Sequence, residues 1–415
     1  MKTGAAVWAV LLVLGAVAPQ ASAQSSDNSW TQIIGPAYAS NDNSDRDFIR
    51  QWEASPPKGY PTLSPNNTIP MKAAIIRYTA IVAKGGWRAL PDVKLERGSS
   101  HPAVALLRER LALSGDLKDT DSSGGFDYYV EKAVKRYQAS NGLAPTGILD
   151  KSTITAMNVP AASRLKQLRA NLARLGEFAK APRKYVLVNI PAAQVEAVDG
   201  DTVVSRHAGV VGKIDRPTPI LKSSIQELNF NAVWHLPPTV IEKDLIPKGQ
   251  EMARRGQSVL VKYKIDAYGG DGRKLDPTKV NWSGAEARGL TYRQQPGPEN
   301  PLGFVKMNFP NAHSVYMHDT PGQSLFGRNF RAASSGCVRI AGIENLAAWV
   351  VAEQGWKPEH VRQMKETGER RDVKLSRAIP LYFVYITAWA TEDGVIQFRR
   401  DIYQKDGIGA LASAY

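Results

Sequence analysis

The sequence predicts a multidomain α+β protein, with a helical N-terminal half and a mainly β C-terminal domain that carries an insertion. Three observations predict it. The chain has 415 residues, too many for one ordinary hydrophobic core. Apolar residues recur at helical spacing as far as Leu175, then with a period of two from Lys184 onward. Residues 238–300 break the second pattern, being rich in Gly, Lys, Arg and Gln with apolar residues only in short runs.

Residues 1–23 read as a signal peptide. Lys2 gives a short positive start, Ala5 to Ala18 an apolar run, and Ala21-Ser22-Ala23 a small-residue cleavage site. No cysteine follows that site to carry a lipid, and no other apolar run is long enough to span a bilayer. The expected product is an exported chain starting at Gln24, with no transmembrane segment beyond the signal peptide. Residues 24–46 are polar and form a flexible lead-in.

A helical scaffold segment follows over 47–100. Met71, Ala74, Ile75, Tyr78, Ile81 and Val82 share one helix face, closed by Gly85-Gly86 and a turn holding a buried Trp87. Residues 101–159 form a three-helix unit. Val104, Leu107 and Leu111 share a face on its first helix, Val130, Val134 and Tyr137 on its second. Asp150 caps its third, from Lys151 to Met157. Residues 160–182 are a Leu-studded helix returning to the scaffold, with Pro182 at the boundary.

The β domain is expected over 183–406, with a C-terminal tail over 407–415. Asp199-Gly200 reads as a hairpin turn ahead of a strand from Thr202 to Val211. Further strands are expected over Gln226 to Leu236 and Asn311 to His318. Ile379 to Ala390 and Val395 to Tyr403 form a last hairpin, and Ile343 to Glu353 an amphipathic helix across the sheet.

The chemistry concentrates between His313 and Ile340. Cys337 is the only cysteine, so it is an inert buried thiol, an intermolecular linker or a nucleophile. An exported chain rarely keeps an odd thiol without a use. His318 lies nineteen residues upstream, at the end of the alternating run Ser314 to Met317. A thiol near pKa ~8.5 needs a base, and a histidine supplies one that can return the proton to a leaving amine. Gly336 lets main-chain N–H groups approach a substrate oxygen, each such donor contributing about 3–4 kcal/mol. The six histidines show no HExxH or HxH spacing, so neither a metal nor another cofactor is expected. Net charge is +14, but nucleic acid is not the expected partner of an exported chain.

Tyr316-Met317-His318-Asp319-Thr320-Pro321 followed by Ser334-Ser335-Gly336-Cys337-Val338-Arg339 closely resembles the active-site signature of L,D-transpeptidases with a YkuD-type catalytic domain. The likeness is greatest to their large periplasmic branch. Many members have His where Ser335 stands, which leaves His318 as the motif's one candidate base. Ala133 to Gln138 with Asn141-Gly142-Leu143 and Thr146-Gly147 resembles a type 1 peptidoglycan-binding domain, whether or not it keeps its affinity. Lys213 to Pro219 and Pro298 to Gly303 match further branch signatures, without chemistry that their residues reveal.

The resemblance implies a mainly β YkuD-type catalytic domain with an inserted capping subdomain over 238–300. A helical scaffold and a three-helix peptidoglycan-binding module complete it. It implies a periplasmic enzyme of peptidoglycan biosynthesis, cell-wall organization and cell shape. Cys337 is the nucleophile and His318 the general base and acid. The Asp319 main-chain carbonyl orients His318, and the Gly336 and Cys337 amides form the oxyanion hole. Arg339 holds a peptide carboxylate or stabilises the loop, Ser335 lines the site, and Tyr316 lines the cleft or packs in the core. Expected partners are stem tetrapeptides and glycan, with carbapenems as covalent inhibitors. Amine, water or protein as acyl acceptor all remain open, as does a non-catalytic wall-binding scaffold, and as does a passive 238–300 segment.

Overall fold

The computed structural model describes residues 62, 64–118, 124–176, 182–391 and 394–407. The expected signal peptide (1–23), the lead-in (24–46), most of 47–63 and the tail beyond 407 lie outside the described residues.

Helix α1 (Thr68–Ala83) buries Met71, Ala74, Tyr78 and Ile81. It stops before Gly85 and Gly86, whose φ values of +91° and +81° suit glycine. Trp87 is only half-buried; the Arg110 guanidinium covers its ring at 3.7 Å from the centroid. Helices α2 (Ala103–Ser114), α3 (Tyr128–Ser140) and α4 (Lys151–Met157) close on one core that includes Val104, Leu107, Leu111, Val130, Val134 and Tyr137. The Asp150 carboxylate caps α4 by accepting from Thr153 N at 2.7 Å. Helix α5 (Ala161–Gly176) returns to α1, packing Leu165, Leu168 and Leu175 against Met71, Ala74 and Tyr78. Among the described residues no helix is long and apolar enough to cross a membrane.

At Lys184 the period changes because the chain enters a sheet covered on both faces. In β1 (Lys184–Asn189), Val186 and Val188 face one core while Tyr185 and Leu187 face the core shared with α1 and α5. Strand β2 (Gln194–Asp199) joins β3 (Thr202–Gly212) through Gly200. Strand β4 (Leu221–Phe230) ends where Asn231 takes a left-handed φ of +48°, its amide donating to the Met364 and Glu369 carbonyls. The expected strand from Gln226 to Leu236 is therefore two. An Asn tolerates that turn, and β5 (Trp234–His235) leaves for a different sheet.

Strand β5, just before the 238–300 region, and β6 (Ile265–Tyr268) and β7 (Thr291–Gln294) within it form a three-stranded sheet. Helix α6 (Ile246–Ala253) follows a π-helical turn over Ile241–Leu245. These elements enclose a second core containing Trp234, Leu245, Met252, Val259, Tyr263, Trp282 and Tyr292. A Cβ on Gly249 would lie 2.2 Å from the Trp282 ring, so the helix approaches that ring as only glycine allows.

The main sheet resumes with β8 (Val305–Asn308), β9 (Met317–His318), β10 (Ala332–Ser334), β11 (Val338–Ile340) and β12 (Arg371–Val384). Its order is β10-β3-β11-β9-β8-β4-β12-β1-β2, and β3 also pairs with β2, so the sheet closes on itself. The expected long strand from Asn311 shrinks to β9, because Asn311 holds a tight turn by bonding the Val315 amide and carbonyl. Helix α7 (Ile343–Val351) packs Ile343, Leu346 and Ala347 on the sheet as expected, and helix α8 (Pro358–Thr367) adds Val361 and Met364. The expected last hairpin is smaller: β13 (Ala388–Ala390) pairs with β14 (Ile396–Phe398), while residues before Val384 belong to the main sheet.

Candidate active site

Strands β9 and β11 run parallel, with Met317 opposite Val338 and His318 opposite Arg339. Side chains alternate along a strand, so Met317 and Val338 point into the core and are fully buried. Tyr316, His318, Cys337 and Arg339 consequently share the other face. On the far side of β9, Lys306 of β8 lies opposite His318 and adds a second cation there. Its ammonium sits 4.5 Å from the Tyr316 ring centroid.

The half-buried Cys337 is bonded by the main chain and the hydroxyl of Tyr316. That hydroxyl accepts a hydrogen bond from Trp234 Nε1 at 3.0 Å, tying the site to the core of the 238–300 region. Burial pushes the thiol above its ordinary value, and the two bonds from Tyr316, then the charges of Arg339 and Lys306, offset this only in part. The resting group is a thiol.

His318 is buried, with Nδ1 2.5 Å from the Asp319 carbonyl oxygen. The Pro301 carbonyl favours the charged form of the ring, and the Tyr316 ring meets it edge-on at 5.5 Å. Burial, then the charge of Arg339, push its pKa down to about 3, so the imidazole is neutral at physiological pH. An Nδ1–H given to Asp319 leaves the lone pair on Nε2. The Asp319 carboxylate does another job: Oδ2 accepts from Phe304 N at 3.0 Å, and burial raises its pKa to about 6.

Arg339 is 3% exposed, and its Nε and Nη1 have no hydrogen-bond partner. Burial lowers its pKa to about 10, and Cys337 and Tyr316 oppose the shift only where they ionise. Unpaired guanidinium nitrogens are costly in a buried site, and here they lie beside the thiol.

The loop before Cys337 is held from several directions. Gly336 has φ +113°, a conformation that side chains rarely take. Its amide donates to Ser334 Oγ at 3.1 Å, so it reaches an oxyanion only by giving up that bond. Ser334 Oγ in turn donates to the Cys337 carbonyl at 2.5 Å. Thr218 Oγ donates to the Gly336 carbonyl and accepts from Gly212 N, each at 2.8 Å. Ser335 Oγ accepts from Arg216 Nη1 at 2.9 Å.

The structure thus brings Cys337, His318, Arg339 and Tyr316 onto one face, with Asp319, Ser335 and Gly336 at its margins. Sequence reasoning missed Lys306, Trp234, Pro301, Arg216, Thr218 and Ser334. The segments Lys213 to Pro219 and Pro298 to Gly303 were the available signal, since three of the six lie in them.

The closed sheet thus presents a thiol and an imidazole on one face. Residues 183–367 match the family model of the L,D-transpeptidase catalytic domain, YkuD. Residues 100–157 match the model described as "Putative peptidoglycan binding domain". The chain carries both domains. A curated relative from Haemophilus influenzae, named "Putative L,D-transpeptidase", is 30% identical over 223 residues, or 53% of this chain. The match spans 44% of that relative's length. Among solved structures, an L,D-transpeptidase from Stackebrandtia nassauensis is 12% identical over 71% of this chain and 96% of its own, with a TM-score of 0.27. L,D-transpeptidase 3 from Mycobacterium tuberculosis, in complex with a faropenem-derived adduct, is 10% identical over 49% and 60%, with a TM-score of 0.23.

Proposed function

We propose that this chain is a periplasmic L,D-transpeptidase that makes 3→3 cross-links in peptidoglycan. The observation that carries the reading is the cross-strand arrangement of Cys337, Tyr316, His318 and Arg339 within a YkuD domain. In the first half-reaction His318 takes the Cys337 proton and the sulfur attacks the carbonyl of the third stem residue, meso-diaminopimelate. The Cys337 amide, and Gly336 once released from Ser334, stabilise the oxyanion. The C–N bond to D-alanine breaks, His318 protonates the leaving amine, and a thioester remains.

In the second half-reaction the side-chain amine of another stem attacks the thioester and gives its proton to His318. The C–S bond breaks and the thiol is restored. Arg339 and Lys306 place positive charge beside the sulfur as it ionises, which a buried thiol requires. The 100–157 module holds glycan near the site. Carbapenems acylate the same sulfur through their strained amide.

Incubation of the protein with disaccharide-tetrapeptide, wild type beside Cys337→Ala, tests the reading by mass spectrometry. The expected product is a dimer lacking one D-alanine, made only when the thiol is present. Tripeptide without dimer would move the assignment to a carboxypeptidase using water. Dimer formed equally by Cys337→Ala would exclude the thioester.

A further inference from the structure

Arg216 lies in the loop after β3, far in sequence from both groups it touches. Its guanidinium grips the Asp244 carboxylate with two bonds, Nη1 to Oδ2 at 2.6 Å and Nη2 to Oδ1 at 3.2 Å. The same Nη1 reaches Ser335 Oγ at 2.9 Å. Asp244 belongs to the π-helical turn of the 238–300 region, and Ser335 stands two residues before Cys337. Both side chains of the pair are nearly buried, at 8% and 7% exposure.

A buried ion pair is weak evidence of stabilisation, because its desolvation cost offsets its attraction. What a two-pronged guanidinium–carboxylate pair does supply is direction. The neighbouring charges do not supply it. Asp215 is 61% exposed and reaches Arg216 Nε only at 3.6 Å, while Lys243 lies 4.0 Å from Asp215. Of the bonds that hold the Ser334–Cys337 loop, that from Thr218 comes from the same loop after β3, braced on Gly212 of the closed sheet, and those of Ser334 arise within the loop itself. The bond from Arg216 is oriented by the inserted region.

We propose that Arg216 is a positioning residue that couples the seating of the 238–300 cap to the nucleophile. Asp244 fixes the guanidinium, the guanidinium fixes Ser335, and Ser335 sets the approach of Gly336 and Cys337 to a bound carbonyl. The inference rests on the reading of Cys337 as nucleophile and goes beyond it. With the cap seated the loop is ordered for attack. With the cap displaced, Asp244 leaves and the Ser335 bond loses its anchor.

The test is the rate of Cys337 acylation by a carbapenem, and of its alkylation by iodoacetamide, followed by mass spectrometry. The chains compared are wild type, Asp244→Asn, Ser335→Ala, Arg216→Lys and the Asp244→Asn/Ser335→Ala double variant. Neither reagent needs a stem peptide, so the test does not depend on which acyl acceptor the enzyme uses. Asp244→Asn is expected to slow the maximal acylation rate about 10- to 100-fold while the half-saturating carbapenem concentration changes little, as misplaced reacting atoms do. The double variant is expected to be no slower than the slower single, and Arg216→Lys to fall between it and wild type.

Full additivity of the two single losses would overturn the proposal, as would wild-type acylation by Asp244→Asn. A merely structural pair lowers the melting temperature in every variant and leaves the rate of the folded fraction unchanged, which also counts against it. If Asp244→Asn does not fold, Ser335→Ala and Arg216→Lys decide by the same rates. A wild-type thiol inert to both reagents sinks the function reading and this one with it. A reactive thiol indifferent to Asp244 and Ser335 sinks this one alone.

Discussion

A thiol held above its ordinary pKa beside an imidazole pushed down to about 3 cannot rest as a thiolate–imidazolium pair. On the proposed mechanism, proton transfer then belongs to the attack itself, when the substrate displaces water and the developing charge meets Arg339 and Lys306. In the free protein the thiolate fraction is predicted to follow bulk pH. Iodoacetamide alkylation of Cys337 is expected to climb through pH 7 to 9 without a plateau. A flat rate below pH 7 would reveal a preformed ion pair and contradict the burial argument. Stability carries the same signature in two opposed parts. The His318 pKa falls from 6.5 to about 3 on folding, so between those values the unfolded chain binds more protons and stability drops as pH falls. The Asp319 pKa rises from 3.8 to about 6, so in that window the folded chain binds more and stability drops as pH rises. Asp319→Asn is predicted to steepen the fall of the melting temperature between pH 6.5 and 4, and His318→Asn to flatten or reverse it. Parallel curves for the two variants would refute the assignment.

At the scale of elements, Thr218 joins two strand ends by bonding Gly212 N and the Gly336 carbonyl. Thr218→Val keeps the shape and loses both bonds, at a cost of about 1–3 kcal/mol in stability. It should also slow Cys337 acylation; denaturant unfolding and the carbapenem rate measure the two effects. An unchanged rate would show that Ser334 and Arg216 suffice to hold the loop. Nothing in Thr218 itself announced this, since its partners lie 6 and 118 residues away. Elements with local causes were legible: the Asp150 cap, the Gly200 hairpin and the helically spaced apolar face of α1. Strand β12 was half hidden because Arg371, Asp372, Lys374 and Arg377 leave its first half exposed and charged. Strand β9 was over-read, because alternation from Ser314 continued through a turn where Ser314 itself has φ +54°. Cys337 and His318 were legible because their chemistry is rare. Lys306 was not, because one lysine among 53 basic residues acquires meaning only through its register opposite His318.

The whole molecule is held together by polar contacts that cross its modules. Gln167 Nε2 of α5 donates to the Thr387 and Arg399 carbonyls, and Asn171 bonds both the amide and the hydroxyl of Thr387. Arg399 Nη1 donates to the Ser140 carbonyl at the end of α3, and Ala144 N donates to Asn329 Oδ1. Tyr78 of α1 packs on Phe398 with ring centroids 5.6 Å apart. Such cross-bracing leaves the peptidoglycan-binding module little freedom relative to the closed sheet, so the described residues are predicted to unfold in one cooperative transition. Arg174 offers the sharpest probe. Its Nη1 lies 2.6 Å from Asp406, whose side chain is fully buried, and also donates to the Tyr385 carbonyl, while Nη2 donates to the Lys405 carbonyl. Arg174→Ala leaves that carboxylate with Thr387 alone and should cost about 3 kcal/mol, the low end for a broken buried pair because Arg174 is partly exposed. Calorimetry is expected to show a single peak moved to lower temperature. Two peaks, with only the helical one shifted, would mean that α5 belongs energetically to the N-terminal module and that the three-helix unit moves independently of the closed sheet.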